Sequence, residues 1–224
     1  YLARVAWSPD GALWAQLVAR DQQTLRLLRL DPATGRAHCA LVEQNPIWIN
    51  LPDNLYFLRD GRFIWASERT GWRNYYLYDL SGTLITPLTR YTTFEAANLV
   101  KVDEDARVVF LMARDGDNFL KQQLHRVGLD GKGDVRLTDP AFHHAVGSCM
   151  AGGGGRGGGP PAGPGGAGAC GISPDNMHAA VVYQTHNTPP ATRLIDATTG
   201  KVVAELAASD LTKFNELGLK KAEM

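Results

Sequence analysis

Along most of the chain, short runs of β-branched, aromatic and leucine residues stop at clusters of Asp, Gly, Pro and Asn, the punctuation of strands and tight turns and not of helices. The densest example is Ile49 to Gly82, INLPDNLYFLRDGRFIWASERTGWRNYYLYDLSG. Asn54 to Leu58 and Arg62 to Ser67 read as strands joined by Arg59-Asp60-Gly61, and Asn74 to Asp79 follows after Thr70-Gly71. The pattern predicts consecutive antiparallel strands, with nothing in the stretch reading as helix.

One turn recurs four times. Asp31-Pro32-Ala33-Thr34-Gly35, Asp79-Leu80-Ser81-Gly82, Asp130-Gly131 and Asp196-Ala197-Thr198-Thr199-Gly200 each follow a β-rich run, over 25–30, 74–78, 123–129 and 192–195. The turns start 48, 51 and 66 residues apart. The first two intervals match the period of about 40 to 50 residues typical of propeller blades. The third is long because residues 151–171, AGGGGRGGGPPAGPGGAGACG, carry 12 of the 24 glycines, which reads as an inserted flexible loop; without those 21 residues the interval is 45. A second repeated sign keeps the same register. Trp7-Ser8-Pro9-Asp10-Gly11 returns as Ile172-Ser173-Pro174-Asp175-Asn176, each a turn before an apolar run, with Gly11 and Asn176 suited to a left-handed backbone.

The expected fold class is therefore all-β, a partial β-propeller of about four blades with four antiparallel strands each. The blades are placed at 1–46, 47–91, 92–140 and 141–207, with the Gly/Pro-rich insertion inside the last. Residues 208–224 are read as a linker, with a weak helical signal over Asp210 to Leu217. Four blades are at the low end of the range for a closed ring, so a half ring with two exposed blade faces is expected, and such faces tend to associate.

Composition narrows the function. The 224 residues are 44% hydrophobic and 21% charged, ordinary for a globular chain, and 23 basic residues balance 23 acidic ones. No field gathers nucleic acid or an anionic membrane surface. No apolar run reaches the length of a membrane span, and the chain opens at Tyr1 inside an apparent strand, with the look of a fragment. Three cysteines, Cys39, Cys149 and Cys170, form no metal pattern and read as buried or free thiols, a Cys149–Cys170 bridge across the insertion being the alternative. They leave the compartment open.

The turns and strands above resemble the β-propeller, N-terminal domain of the dipeptidyl peptidase IV branch of the prolyl oligopeptidase family of serine peptidases. The resemblance rests on Tyr1 to Gly11, on Arg20-Asp21-Gln22-Gln23 before Leu25-Arg26-Leu27, on Trp65-Ala66-Ser67-Glu68-Arg69-Thr70-Gly71-Trp72-Arg73, and on Leu124 to Val127 with Val135 to Thr138. It implies an eight-bladed propeller, of which this chain looks like the last four blades, preceding a C-terminal α/β-hydrolase domain, with a peptide substrate processed between the two. In the family the catalytic serine sits on a G-x-S-x-G elbow, which this sequence lacks. Gly171-Ile172-Ser173-Pro174-Asp175 comes nearest but has no closing glycine and reads as a turn. The family's paired glutamates, which hold the substrate amino terminus, match nothing after Tyr1; Asp103-Glu104-Asp105 reads as a solvated hairpin turn.

No catalytic, cofactor or metal residue is assigned, and the chain alone is expected to be inactive. The candidates for lining the family's cavity are Glu68, Arg69, Trp72 and Arg73, on a loop between two strands. The plainer reading of the same residues is local ion pairing and packing of Trp72 between blades. His143-His144 point to opposite strand faces and suit no shared metal. Trp7, Trp14, Trp48, Trp65 and Trp72 read as blade-to-blade packing, since no basic stripe accompanies them. The insertion, with Arg156 its one charge, lacks a phosphate-loop pattern. The expected partners are a peptide substrate and the hydrolase domain of a parent enzyme, with a homodimer open; nucleic acid and a membrane segment are not expected. The competing reading is a stand-alone propeller-type interaction module.

Overall fold

A computed structural model describes residues 1–51, 55–150 and 170–218. The chain forms a partial β-propeller of four antiparallel four-stranded sheets, each a simple meander in chain order. Sheet 1 contains β1 (Leu2–Trp7), β2 (Leu13–Val18), β3 (Thr24–Leu30) and β4 (Ala37–Gln44). Sheet 2 contains β5 (Tyr56–Phe57), β6 (Phe63–Ser67), β7 (Asn74–Tyr78) and β8 (Leu84–Pro87). Sheet 3 runs β9 (Ala96–Asp103), β10 (Val108–Ala113), β11 (Gln123–Gly128) and β12 (Val135–Arg136). Sheet 4 runs β13 (His143–Ala145), β14 (His178–Gln184), β15 (Ala191–Asp196) and β16 (Val202–Ala208). The one helix among the described residues is α1 (Thr212–Glu216), inside the weak helical signal of the tail. Most of the Gly-rich insertion, the start of the strand expected from Asn54, and the end of the tail lie outside the described residues.

The chain divides into two compact units, residues 1–96 with 129–132, and residues 97–128 with 133–224. In the first, Trp14, Leu25, Leu27 and Leu41 of sheet 1 meet Phe63, Trp65, Tyr76 and Tyr78 of sheet 2. Trp14 packs between Phe57 and Phe63 at ring distances of 5.3 and 5.2 Å, and Phe63 stacks on Tyr78 at 5.3 Å. Alternate side chains on a pleated sheet face opposite ways, so each sheet offers one face to each neighbour. In the second unit Val108, Phe110, Met112 and Leu124 of sheet 3 meet Ala179, Val181 and Ile195 of sheet 4.

The tryptophans divide accordingly. Trp14 and Trp65 are fully buried between sheets, as blade packing requires, but Trp7 and Trp48 are 63% and 51% exposed. Trp7 ends β1 on the face of sheet 1 turned away from sheet 2, and Trp48 lies on a surface connector.

The four Asp turns join the third and fourth strands of each sheet. Asp31, Asp79, Asp130 and Asp196 accept backbone N–H bonds from residues just ahead of them, at 2.9, 2.9, 3.1 and 2.8 Å for the shortest of each set. Thr34, Ser81 and Thr198 hydroxyls add a second bond to Asp31, Asp79 and Asp196 and hold these three carboxyls below the usual range. The closing glycines take positive φ, +69° at Gly35, +88° at Gly82, +72° at Gly131 and +78° at Gly200. Three of them also seat against the last strand of the preceding sheet. A Cβ on Gly82 would fall on the carbonyl oxygen of Ala40, on Gly131 that of Pro87, and on Gly200 that of Leu137. Beside Gly35 there is nothing within 4 Å.

An amide latch recurs at the entry to the third strand. Gln23 Nε2 donates to Pro46 O at 2.9 Å, Asn74 Nδ2 to Tyr91 O at 3.1 Å, and Gln123 Nε2 to Phe142 O at 2.8 Å. Each tethers the segment that leaves its sheet. In sheets 2 and 3 a threonine hydroxyl completes it, with Thr89 donating to Asn74 Oδ1 at 2.8 Å and Thr138 to Gln123 Oε1 at 2.7 Å.

The expectation of three thiols is corrected at two of them: Cys149 and Cys170 form a disulfide, and Cys39 is free and exposed. Gly171 N–H bonds Gly147 O at 2.9 Å, holding the two flanks of the insertion side by side and bringing the cysteines within bridging reach.

Candidate functional site

All four residues singled out in the sequence lie on the loop between β6 and β7. Gly71, at φ +90°, lets the loop turn back so that its N–H bonds Glu68 O at 2.8 Å. The four side chains divide between two settings.

Arg69 is drawn inward. Its guanidinium pairs with the Glu43 carboxylate on β4, its Nε donates to Ser67 Oγ at 3.0 Å, and its charge lies 4.5 Å above the Tyr76 ring. The same carboxylate accepts from Trp65 Nε1 at 3.1 Å and from Ser67 Oγ at 2.9 Å. Burial is the largest single influence and opposes the charge on Arg69, but the Glu43 carboxylate and Tyr78 together overcome it and raise the pKa. Burial also pushes the Tyr78 hydroxyl up. Glu43 was missed in the sequence because nothing separates it from other charged residues near the end of an edge strand; only the docking of sheet 1 on sheet 2 gives it partners.

Glu68 and Arg73 remain at the rim, 3.7 Å apart, and Asn50 Nδ2 donates to the other Glu68 oxygen at 2.8 Å. Trp72 is partly buried, and its carbonyl accepts from Asn74 Nδ2 at 3.2 Å. Beside this rim runs a connector that its own hydrogen bonds fix in place. Asn45 Oδ1 caps the N–H groups of Ile47 at 2.9 Å and Trp48 at 3.3 Å, and Ile49 N–H bonds Gln22 O at 2.9 Å. Ile47 and Trp48 are thereby held outward, at 82% and 51% exposure. The assembled surface offers hydrogen bonds, a carboxylate paired with a guanidinium, and apolar area.

The family model for the dipeptidyl peptidase IV N-terminal region matches residues 1–156. The chain belongs to this family. As a dipeptidyl peptidase IV N-terminal region it also shares its fold with solved structures. Dipeptidyl peptidase 4 of Porphyromonas gingivalis aligns over 97% of the chain with a TM-score of 0.71 and 17% identity. A Bacteroides ovatus protein assigned as a dipeptidyl aminopeptidase IV aligns over 94% with a TM-score of 0.70 and 17% identity. The chain spans 27% and 29% of their respective lengths.

The histidine pair of this N-terminal region divides as the strand period requires. His144 is buried and its Nε2 lies 3.0 Å from Asp139 O, while His143 Nδ1 accepts from the Gln122 N–H at 3.2 Å. Burial lowers the pKa of both, that of His144 to about 4. Among the described residues no cluster of His, Cys, Asp and Glu suits a metal ion. The acidic Asp103–Asp105 stretch forms the β9–β10 hairpin turn, where the Ala106 N–H and the Asn176 side chain bond Asp103 at 2.9 and 2.8 Å. A further cluster escaped the sequence reading: His125, on β11, stands between Asp134 at 2.9 Å and Asp115 at 3.4 Å, with Arg136 on Asp115 at 3.0 Å.

Proposed function

We propose that this chain is the non-catalytic propeller portion of a dipeptidyl peptidase IV-like serine exopeptidase, in which it walls the active-site cavity and restricts entry to short or unfolded peptides. The family match over residues 1–156 carries the reading. In the parent enzyme, nucleophile, base and oxyanion donors come from a C-terminal hydrolase domain, and dipeptides, often with proline or alanine second, leave from peptide amino termini.

The β6–β7 loop supports a cavity-lining role. Glu68 and Arg73 supply charge and hydrogen bonds suited to a peptide backbone, and Trp72 supplies apolar area. Arg69 contributes indirectly, since its bonds to Glu43 fix the loop that presents the other three. Ile47 and Trp48, apolar, rigidly held and exposed, suit docking of the hydrolase domain.

The test has two arms. The isolated 224-residue chain is offered a prolyl dipeptide chromogenic substrate, and no turnover above blank is expected; robust hydrolysis overturns the non-catalytic assignment. The coding sequence beyond Met224 is then read, where a G-x-S-x-G elbow is expected, and a stop codon in its place favours the stand-alone interaction module.

A further inference from the structure

We infer that the Cys149–Cys170 bridge is a redox-sensitive clasp on a split strand, opened and closed by thiol–disulfide exchange with a dithiol. The split is read from register. β13 pairs with β14 as His143 with Gln184, His144 with Tyr183 and Ala145 with Val182. The line beside β14 continues past that point, because Ile172 pairs with Ala179 in the same antiparallel sense and the Ala180 N–H bonds Gly171 O at 2.8 Å. One side of β14 is thus covered by two pieces of chain, residues 143–145 and 171–172, and the chain leaves that line after Val146 and re-enters it at Gly171.

The join between the pieces is made by the Gly171 N–H on Gly147 O, at 2.9 Å, and by the disulfide just beyond it. The pieces meet closely: a Cβ on Gly171 would lie 2.6 Å from Val146 Cγ1 and 2.9 Å from Gly147 N. On the departing side the Cys149 N–H bonds Val100 O of β9 at 2.7 Å, which ties the clasp to sheet 3 as well. The sequence between the two cysteines is glycine-rich, and glycine gives up the most conformational freedom on being held, so with the bridge open the hydrogen bonds alone resist separation of the ends.

Three properties make this bridge a switch. It is within reach of a reductant, since Cys170 is exposed and Cys149 half-buried. It can re-form, because the bonds from Gly171 to Gly147 and from Cys149 to Val100 hold both cysteine backbones near their places and make reoxidation a short intramolecular closure. It is coupled to the interior: Ile172 is 2% exposed within the core shared by sheets 3 and 4, and Val146 and Cys149 pack against that core. Opening the clasp therefore loosens a strand of the interior along with the surface. The exchange balances at two electrons and two protons. A thiolate of the dithiol attacks Cys170 Sγ, the S–S bond breaks, and Cys149 leaves as a thiolate that takes up a proton; the second thiol of the donor then displaces Cys170 as a thiol, and the donor departs as a disulfide.

The 224-residue chain carrying Cys39→Ser, which removes the free thiol, tests this. Native protein equilibrated with dithiothreitol, trapped with a maleimide and weighed by mass spectrometry is expected to carry a label on both Cys149 and Cys170, and to carry neither after return to oxidised glutathione. Residue-resolved hydrogen exchange reads the strand. The Cys149, Gly171 and Ala180 N–H groups are expected to exchange at least about tenfold faster in the reduced chain, while the amides of β10 and β11 keep their protection. The double variant Cys149→Ser with Cys170→Ser is expected to show the reduced pattern and to be indifferent to dithiothreitol, with circular dichroism establishing that it folds; the reduced chain itself carries the test if it does not. A bridge that resists dithiothreitol until the whole chain unfolds is a fixed staple and overturns the inference. Reduction that leaves those three amides as slow as before, or that exposes β10 and β11 along with them, overturns it as well.

Discussion

Arg69 reaches from the β6–β7 loop to the carboxylate of Glu43 on β4, so a residue in the candidate rim loop is bonded to the neighbouring sheet. The pair is partly shielded from solvent, Glu43 most, and the same carboxylate also serves Trp65 and Ser67. A double-mutant cycle with Arg69→Ala and Glu43→Ala is expected to give a coupling of about 1 to 2 kcal/mol in chemical denaturation. Glu43→Ala alone should cost more than Arg69→Ala alone, because it strips three donors of their acceptor. Additive single mutants would show that the pair does not act as a strut.

Gly35 and Gly200 separate backbone strain from close approach. Alanine at either position meets the left-handed penalty of about 1 to 2 kcal/mol. At Gly200 the new methyl also meets the Leu137 carbonyl, so Gly200→Ala should destabilise the chain by roughly 2 kcal/mol more than Gly35→Ala. Equal losses in the two variants would refute the seating.

The Asn74 amide is buried, and its two ends join β7, Thr89 and Tyr91. Asn74→Ala leaves the Tyr91 N–H and the Thr89 hydroxyl short of a partner, at a cost of about 2 to 3 kcal/mol. Asn74→Asp keeps the acceptor but loses the donor and should fall between. Hydrogen exchange at the Tyr91 N–H reads the latch directly, with faster exchange expected in Asn74→Ala and protection kept in Asn74→Asp.

The Cys149–Cys170 bridge spans a sequence separation of 21 and constrains the unfolded chain. Its reduction is expected to lower stability by roughly 3 kcal/mol. The check is the denaturation midpoint with and without reductant, with a Cys39→Ser background to remove the free thiol. An unchanged midpoint would contradict a stabilising bridge.

His144 makes stability depend on pH. Its folded pKa, about 4, lies below the ordinary 6.5 because burial disfavours the imidazolium. As pH falls below 6.5 the unfolded chain takes up the proton first, so stability present above that pH is lost progressively down to about 4. The loss amounts to about 3 kcal/mol at most. His144→Phe should flatten this part of the profile relative to the wild type, and parallel profiles would remove His144 as the cause.

Repetition is what made the fold readable. Asp31, Asp79, Asp130 and Asp196 with their glycines mark the third hairpin of each sheet because an Asp side chain must cap the turn and a glycine must supply positive φ. Both demands are local, and the amino-acid type meets them directly. The candidate loop was legible for the same reason, as Thr70-Gly71 between two aromatic strands. Its chemistry was not. Arg69 looks as available as Arg73 until sheet 1 docks on sheet 2 and brings Glu43 beneath it. The exposed Trp7 and the buried Trp14 are likewise the same residue type in similar surroundings along the chain.

By itself, then, the sequence determined the strands, their turns, the four-fold repeat and the kinship of most of the chain, because strand period and turn chemistry depend on near neighbours. The tertiary structure alone decided which apolar face each sheet covers, that Cys149 meets Cys170, and that Gly35 keeps the position of Gly82 and Gly200 without their neighbouring carbonyl. Those outcomes depend on residues far apart in the chain being brought within a few ångströms, and no local pattern encodes that distance.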